Sequence, residues 1–396
     1  MRIADIRRAG HVPTLVASLL HFEVSFMCWV LLGALGIAIS DDLGLAPWAK
    51  GLAVGVPLVA GSLFRLIVGP LADRKGARPV GAATLVITVV AVLWGWLGAR
   101  SVVELLLVGI LLGVAGSSFA VALPLAGKAF EPRLRGLAMG IAGAGNSGTV
   151  VAALVAPRLA GHVGWHGVLG LASLPLLGVL VAFVALTRSS PAGEASSPQP
   201  LRSVWMSSDA RSLCAIYLVT FGGFVGMVSF LPIFLRDAYG VGALWAATAT
   251  AVCAGSGSLL RPFGGLIADK VGGERVLPAV FSIAAVALIV VAGGPSPVAT
   301  VGLLTLAIGS LGAGNGAVFQ IVPRRFPTQI GAVTGLVGAA GGLGGFLLPF
   351  GLGVTKSWTG SYVLGLAAVA VACLGGCAAL IHATRRWRLV PVQVPA

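Results

Sequence analysis

The sequence has very little charge and almost no long polar stretch. Only 10% of its 396 residues are charged, whereas soluble domains average about a quarter. Hydrophobic residues make up 57% of the chain, and the mean hydropathy is +1.01. A soluble fold has no means of hiding that much apolar surface from water. The composition therefore predicts a protein whose solvent is the lipid bilayer.

Patterns that carry enzyme chemistry are also missing from the sequence. It shows no Ser/His/Asp set, no metal-ligand spacing and no phosphate-cradling loop, so we expect no catalytic residue, metal or cofactor. The net charge of +14 would suggest nucleic acid in a soluble protein. With a cytoplasmic N-terminus, however, 19 of the 26 Lys and Arg residues fall on the cytoplasmic side, 5 outside and 2 within spans. This bias predicts cytoplasmic N- and C-termini and leaves nucleic acid without a role.

Apolar runs of the length that crosses a bilayer predict twelve transmembrane helices. The stretch SSPAGEASSPQP, residues 189–200, is the one long polar segment and is typical of a linker. We therefore predict an all-α integral membrane protein with two pseudo-symmetric six-helix halves. The halves are residues 1–187 and 210–396, and a cytoplasmic linker, 188–209, joins them.

A repeat supports this division. GSLFRLIVGPLADRKGAR (61–78) and GSLLRPFGGLIADKVGGE (257–274) are identical at eight positions. Arg261 follows Arg65 by 196 residues, and Asp269 follows Asp73 by the same interval. Both windows end the second span of their half, so the duplication is parallel, which places a substrate site between the halves near the midplane. The ends of the two windows resemble the signature loop of the major facilitator superfamily, which implies that fold.

Two arginines of the repeat lie inside apolar spans. Burying an arginine in a bilayer costs roughly from a few to more than ten kcal/mol, and Arg65 and Arg261 cannot escape by losing a proton. Facing one cavity, they would repel each other unless an anion lay between them. Two planar donor forks suit one small oxyanion. The alternative is that each arginine pairs with a carboxylate or carbonyl and only holds helices together, but Glu23 is the one acid within a span.

Glycine tracts occupy the fifth and eleventh spans. They read RGLAMGIAGAGNSGTVVAALVAP (135–157) and IGAVTGLVGAAGGLGGFLLPFG (330–351). Close helix packing explains some of these glycines. A bare backbone also lets a small ligand approach and lets one helix slide against another, so four positions are candidate gating glycines: Gly143, Gly145, Gly338 and Gly341.

The two tracts resemble the signature motifs of the nitrate/nitrite porter family within the major facilitator superfamily. GSSFAVALP (116–124), TFGGF (220–224) and GAGNGAVFQIVPRRFP (312–327) resemble that family's spans four, seven and ten. The resemblance implies secondary active transport of nitrate or nitrite across the cytoplasmic membrane. Composition and spacing alone imply only a small anion, and formate or another small carboxylate is the alternative.

The resemblance also implies a substrate site. Arg65 and Arg261 match the family's substrate-clamping arginines, Tyr217 matches a tyrosine that lines the site, and Phe119 falls at the substrate. Asn146, inside the membrane at the end of the first tract, would donate an amide N–H to the anion. An interhelical hydrogen bond is the alternative for Asn146, and ordinary core packing is the alternative for Tyr217 and Phe119.

Coupling is required for uptake. Moving one negative charge inward against ~100 mV costs about 2.3 kcal/mol, so uptake needs protons or exchange for an internal anion such as nitrite. Glu23 and the nearby His21 are the proton-coupling candidates, with purely structural roles as the alternative for each. The family's exchangers lack such an acid, so Glu23 favours proton symport.

A charged set is expected at the cytoplasmic ends of the spans. Asp73 and Asp269 can accept from helix N-termini or pair with Arg133 and Arg135, which would stabilise one state of the transport cycle. The expected partners are the anion, protons and membrane lipid, and we expect a monomer.

Overall fold

The structure, a computed structural model, describes residues 10–131, 134–188, 201–326 and 330–389. The first two ranges contain α1 (Val12–Trp29), α2 (Leu31–Ala34), α3 (Gly36–Leu43), α4 (Pro47–Lys75), α5 (Ala77–Gly98), α6 (Val102–Gly116), α7 (Phe119–Lys128), α8 (Arg135–Gly143), a 3₁₀ helix (Ala144–Ser147) and α9 (Gly148–Leu186). The last two contain α10 (Leu201–Met206), α11 (Ser208–Tyr239), α12 (Ala243–Val271), α13 (Gly273–Ala292), α14 (Pro297–Arg325), α15 (Ile330–Thr359) and α16 (Val363–Leu389).

Eleven stretches of the described residues are long and apolar enough to cross a bilayer. One of them, Ala138–Leu186, holds two helices, because Gly164 interrupts α9 with a φ of 69° and a ψ of 167°. Only glycine adopts such a conformation without strain. Counting that stretch as two gives twelve spans, and the predicted all-α fold with twelve membrane-spanning helices is confirmed.

The helices form two compact units. Unit 1 comprises Met1–Gly44 and Val56–Ser197, and unit 2 comprises Leu45–Gly55 and Pro198–Ala396. The segment 45–55 carries the first turns of α4, which belongs to the first half by sequence, yet it packs with unit 2. Residues 189–200 of the predicted linker lie outside the described residues, while 201–206 form the short helix α10.

The repeat predicted from the sequence is visible in the backbone. Gly76 separates α4 from α5 with a φ of 93° and a ψ of 142°, and Gly272 separates α12 from α13 with a φ of 91° and a ψ of 133°. These glycines are 196 residues apart and make the same sharp turn, which needs a residue without a Cβ atom. The two copies of the repeat therefore share this turn in structure as well as in sequence.

Burial differs from helix to helix. In unit 2, α11 is buried on all sides from Leu213 to Leu235, apart from Ala215 and Leu218, as expected for a central helix that is apolar all round. Other helices leave large apolar side chains exposed, such as Val181 on α9 and Leu259 on α12. Apolar surface of this kind suits contact with lipid tails.

Candidate functional site

Arg65 is held in a fixed orientation inside unit 1. It lies on α4 with 3% of its surface exposed, and its Nε donates to the carbonyl of Gly116 at the end of α6 (2.8 Å). Its guanidinium carbon lies 5.0 Å from the centre of the Trp29 ring and 5.7 Å from that of Phe119. Each such cation–π contact contributes about 0.5–2 kcal/mol. The predicted neighbours Arg65 and Phe119 are thus brought together.

Arg261 has comparable surroundings inside unit 2. Its Nη2 donates to the hydroxyl of Tyr217 (3.4 Å), and its guanidinium carbon lies 5.9 Å from the centre of the Phe319 ring. The buried Tyr217 ring stacks on Phe221 at 5.1 Å and meets Phe319 edge-on at 5.1 Å. Both arginines of the repeat therefore have an aromatic face beside a permanent positive charge.

The glycine tract of span five changes its helix type where it meets α1. After α8 ends at Gly143, residues 144–147 form one 3₁₀ turn before α9 begins. Such a stretch within a long helix often marks a hinge. Asn146 lies in this turn and is buried. The next residue, Ser147, donates to the carboxylate of Glu23 (2.7 Å). Among the described residues, Glu23 has Ser147 as its partner rather than an arginine.

Glycines allow this close approach. A Cβ atom on Gly145 would lie 2.8 Å from the backbone nitrogen of Glu23, and one on Gly148 would overlap the Glu23 carbonyl oxygen. Gly143, in contrast, would meet nothing within 4 Å. Of the two gating glycines predicted in this span, Gly145 lies against α1 and Gly143 does not.

One glycine of span eleven, Gly341, contacts the tyrosine beside Arg261. A Cβ atom on Gly341 would lie 2.5 Å from the ring of Tyr217 and 3.0 Å from that of Phe221. Gly338, one turn earlier on α15, is buried. Gly341 therefore leaves the space that the Tyr217 ring occupies, whereas a moving role for either glycine stays a prediction.

Known proteins are similar in sequence to this chain along most of its length. Residues 17–349 match the Major Facilitator Superfamily. The chain is 34% identical to the "Nitrite extrusion protein" of Bacillus subtilis (strain 168), covering 90% of both proteins. It is 32% identical to the "Probable nitrate/nitrite transporter NarK2" of Mycobacterium tuberculosis (strain ATCC 25618 / H37Rv), covering 92% of this chain and 95% of that protein. The chain belongs to the nitrate/nitrite porter family of the major facilitator superfamily.

This membership makes the protein a multi-pass membrane transporter and not an enzyme, as the sequence predicted. A third relative is the "Probable nitrate/nitrite antiporter NarK1" of Thermus thermophilus, at 33% identity over 89% of this chain and 87% of the relative. Among solved structures, the fold is similar to that of a bacterial homologue of the human lysosomal transporter Spinster. The TM-score is 0.77 and the identity 19%, over 96% of this chain and 98% of the other. At that identity the likeness concerns the fold alone.

His21 has different neighbours from Glu23, although both lie on α1 of this porter. Its Nε2 lies 3.1 Å from the carbonyl oxygen of Gly81 and 3.4 Å from the hydroxyl of Thr84. Its buried ring lies 4.7 Å from that of Phe183. Two residues along a helix differ by about 200° in direction, so the two proton-coupling candidates face different sides of α1.

Charged residues at the ends of the porter's spans are only partly described. Asp73 pairs with Lys128 at 3.4 Å, and both side chains are about half exposed. Asp269 is exposed. Arg133 lies outside the described residues, and so does the side chain of Arg135, so their predicted pairing with the aspartates stays a prediction.

Three contact residues of this porter were not predicted from the sequence. Trp29 stacks on Arg65 and donates from its indole Nε1 to the carbonyl of Pro57 (2.7 Å). Phe319 lies beside Arg261, and its signal was its place in the span-ten motif. The third is Ser147, whose signal was its position directly after the intramembrane asparagine.

Proposed function

We propose that the protein is a secondary active transporter that carries nitrate or nitrite across the cytoplasmic membrane by alternating access, with both termini in the cytoplasm. The observation that carries this proposal is the pair Arg65 and Arg261. They occupy equivalent positions in the two repeats, and each guanidinium is oriented by an aromatic ring and a hydrogen bond. The names of the relatives support the choice of substrate.

Each side chain of the proposed site has a role that follows from its chemistry. Arg65 and Arg261 supply positive charge and pairs of parallel N–H groups, which match the oxygens of a planar oxyanion. Asn146 donates an amide N–H, and the Tyr217 hydroxyl adds a polar contact. Phe119 contributes an apolar face that suits a weakly hydrated ion. Because the arginines are already oriented, little side-chain freedom is lost when the anion binds.

We propose Glu23, rather than His21, as the group that couples proton movement to the anion. His21 is buried among helices of unit 1, whereas Glu23 is only partly buried. The Glu23 carboxylate contacts Ser147, the neighbour of Asn146, on the 3₁₀ turn. A change of charge at Glu23 therefore acts directly on the short segment that carries a proposed anion ligand.

The proposed gating parts lie away from the anion. Asp73 and Asp269, with Arg133 and Arg135, would hold the cytoplasmic ends of the spans in one state of the cycle. The one described pair of this set, Asp73 with Lys128, is half exposed, and such pairs contribute only about 0–1 kcal/mol. A weak bond of that kind suits a contact that must break in every cycle.

Exchange of nitrate for nitrite is the second candidate, because one relative is named an antiporter. The two are separated in proteoliposomes that receive external nitrate and contain a pH-sensitive dye, with or without internal nitrite. Symport predicts acidification of the lumen without internal nitrite. Exchange predicts uptake that requires internal nitrite and leaves the lumen pH unchanged.

Glu23→Gln tests the coupling residue in the same assay. We expect it to abolish acidification during nitrate uptake. Glu104→Gln is the control, because Glu104 is another acid of unit 1 whose carboxylate accepts from Ser101 and from the backbone of Arg100 at the start of α6. Acidification by the Glu23→Gln protein at the rate of the Glu104→Gln protein would disprove the role of Glu23.

A further inference from the structure

The ends of three spans meet in a polar cluster of unit 2 that the proposed transport mechanism does not use. We call it the Arg325 cluster: Asp209, Ser212, Arg325, Arg386 and Trp387. Arg325 donates to Asp209 (2.6 Å), and Arg386 donates to Ser212 (3.0 Å). The Arg325 guanidinium carbon lies 5.0 Å from the centre of the Trp387 ring. The residues come from the start of α11 and the ends of α14 and α16.

Positive charge exceeds negative charge in this cluster. Asp209 and Ser212 are three residues apart on α11, so they are neighbours on one face of that helix. Their partners Arg325 and Arg386 therefore approach the same face of α11, and this face contributes one carboxylate to the two arginines. Arg325 and Asp209 keep only 13% and 22% of their side chains exposed. A partly buried excess of positive charge is unfavourable unless an anion compensates it.

Three N–H groups of the cluster also need an acceptor. Among the side chains that the structure describes, none is a hydrogen-bond partner of the buried Nε of Arg325, the buried Nε of Arg386 or the buried Nε1 of Trp387. Most buried N–H groups in proteins have a partner, and an exception calls for a bound water, ion or ligand. These three donors belong to one cluster, and a bound group with several acceptor oxygens would satisfy them.

The position of the cluster identifies the source of those oxygens. It lies where three membrane spans begin or end, next to the short helix α10, whose last two residues expose apolar side chains. Trp205 is 50% exposed and Met206 68% exposed, which is typical of residues at the membrane–water interface. Phosphate groups of lipid heads lie at this depth. Arg385, exposed on the same turn as Arg386, adds to the positive potential.

We propose that the Arg325 cluster binds the phosphate of an anionic phospholipid headgroup. The phosphate oxygens accept hydrogen bonds from Arg386 and Trp387. The negative charge of the phosphate compensates the positive charge that Asp209 alone does not neutralise. The bound lipid joins the ends of α11, α14 and α16, so it stabilises unit 2. This site is independent of anion transport, since none of its residues belongs to the proposed nitrate site.

Thermal unfolding of the lipid-depleted full chain in detergent tests the proposal. Short-chain phosphatidylglycerol, phosphatidylcholine and inorganic phosphate are titrated separately. We expect phosphatidylglycerol to raise the unfolding temperature until the effect saturates, and the other two to have much smaller effects at equal concentration. An equal effect of phosphatidylcholine would overturn the proposal, and so would saturation by inorganic phosphate alone, which would indicate a site for the free ion.

Neighbouring arginines provide a matched pair of variants. Arg386→Gln should raise the phosphatidylglycerol concentration for half the effect about tenfold, the loss expected for one charge-assisted hydrogen bond. Arg385→Gln makes the same charge change one residue away and should change it less than about twofold. Trp387→Phe keeps the ring and removes only the N–H, so a weaker but measurable loss is expected even if Arg386→Gln fails to fold. Equal responses of the Arg385 and Arg386 variants, or no response to Trp387→Phe, would contradict the site.

Discussion

The ion pair between Lys50 and Asp237 attaches the first turns of α4 to the rest of unit 2, so removing it should loosen that attachment. The Lys50 ammonium lies 3.0 and 2.9 Å from the two carboxylate oxygens of Asp237, and Tyr362 donates its hydroxyl to the same carboxylate at 3.1 Å. Burial and the adjacent Asp237 charge raise the pKa of Tyr362 well above its usual range, so the hydroxyl stays a donor. Gly51 packs directly on the Pro349 carbonyl.

The burial of the pair sets the expected size of the effect. Exposed ion pairs contribute about 0–1 kcal/mol, whereas removing one partner of a buried pair costs about 3–5 kcal/mol. The side chains of Lys50 and Asp237 are 16% and 17% exposed. We therefore expect Asp237→Asn to lower the free energy of unfolding by about 2–3 kcal/mol, between these limits. The measurement is an SDS-induced unfolding titration of the purified protein in detergent micelles.

Two further variants make this prediction refutable. Arg236→Met removes an exposed charge next to Asp237 and should change stability by less than about 0.5 kcal/mol. The double variant Lys50→Met/Asp237→Leu should recover most of the loss, because apolar residues often replace a buried pair without cost. A loss below about 0.5 kcal/mol for Asp237→Asn, or a double variant no more stable than Asp237→Asn, would refute the reasoning.

Two smaller effects follow from the structure of unit 1. Gly148→Ala places a Cβ atom on the Glu23 carbonyl oxygen, so it should lower the free energy of unfolding by about 1–3 kcal/mol in the same titration and slow nitrate uptake. Gly143→Ala is the control, because its Cβ atom enters open space and should change neither stability nor uptake. Equal effects of the two variants would contradict this prediction. Burial, and secondarily Arg188, lower the pKa of His11, the N-cap of α1. Because the folded-state pKa is the lower one, the stability that neutral His11 contributes is present above the unfolded-state pKa and is lost as pH falls below about 6.5. His11→Asn should therefore reduce the change in the free energy of unfolding between pH 7.5 and 5.5. An unchanged slope of that free energy against pH would contradict the prediction.

The number and order of the membrane spans were predictable from the sequence because bilayer thickness fixes the length of each apolar run. The repeat also placed Arg65 and Arg261 at matched positions. Side-chain contacts between helices were harder to predict from the sequence. The stacking of Trp29 on Arg65 joins residues on different helices, and the pairing of Ser147 with Glu23 depends on the local change to a 3₁₀ turn. Hydropathy does not show which face of one helix meets another, and it does not show where a helix changes to a 3₁₀ turn.

The packing of the segment 45–55 with unit 2 also could not be predicted. Hydropathy assigns the whole of α4 to the first half, because the helix is one continuous apolar span. Its first turns nevertheless contact α15 through Gly51 and Gly353, both of which lie against backbone carbonyls. Such backbone contacts depend on tertiary geometry, and a glycine in the sequence does not say which helix approaches it.

The most direct test of the central claim is the concentration dependence of nitrate uptake by proteoliposomes containing Arg65→Gln, Arg261→Gln or the double variant. Each single change should weaken apparent affinity about 10- to 100-fold, the loss expected when a charged hydrogen-bond donor is removed. The double change should abolish saturable uptake, while Arg100→Gln, at an exposed position, should leave uptake unchanged. Saturable uptake of nitrate by the double variant with the affinity of the unaltered protein would contradict a site built on these two arginines.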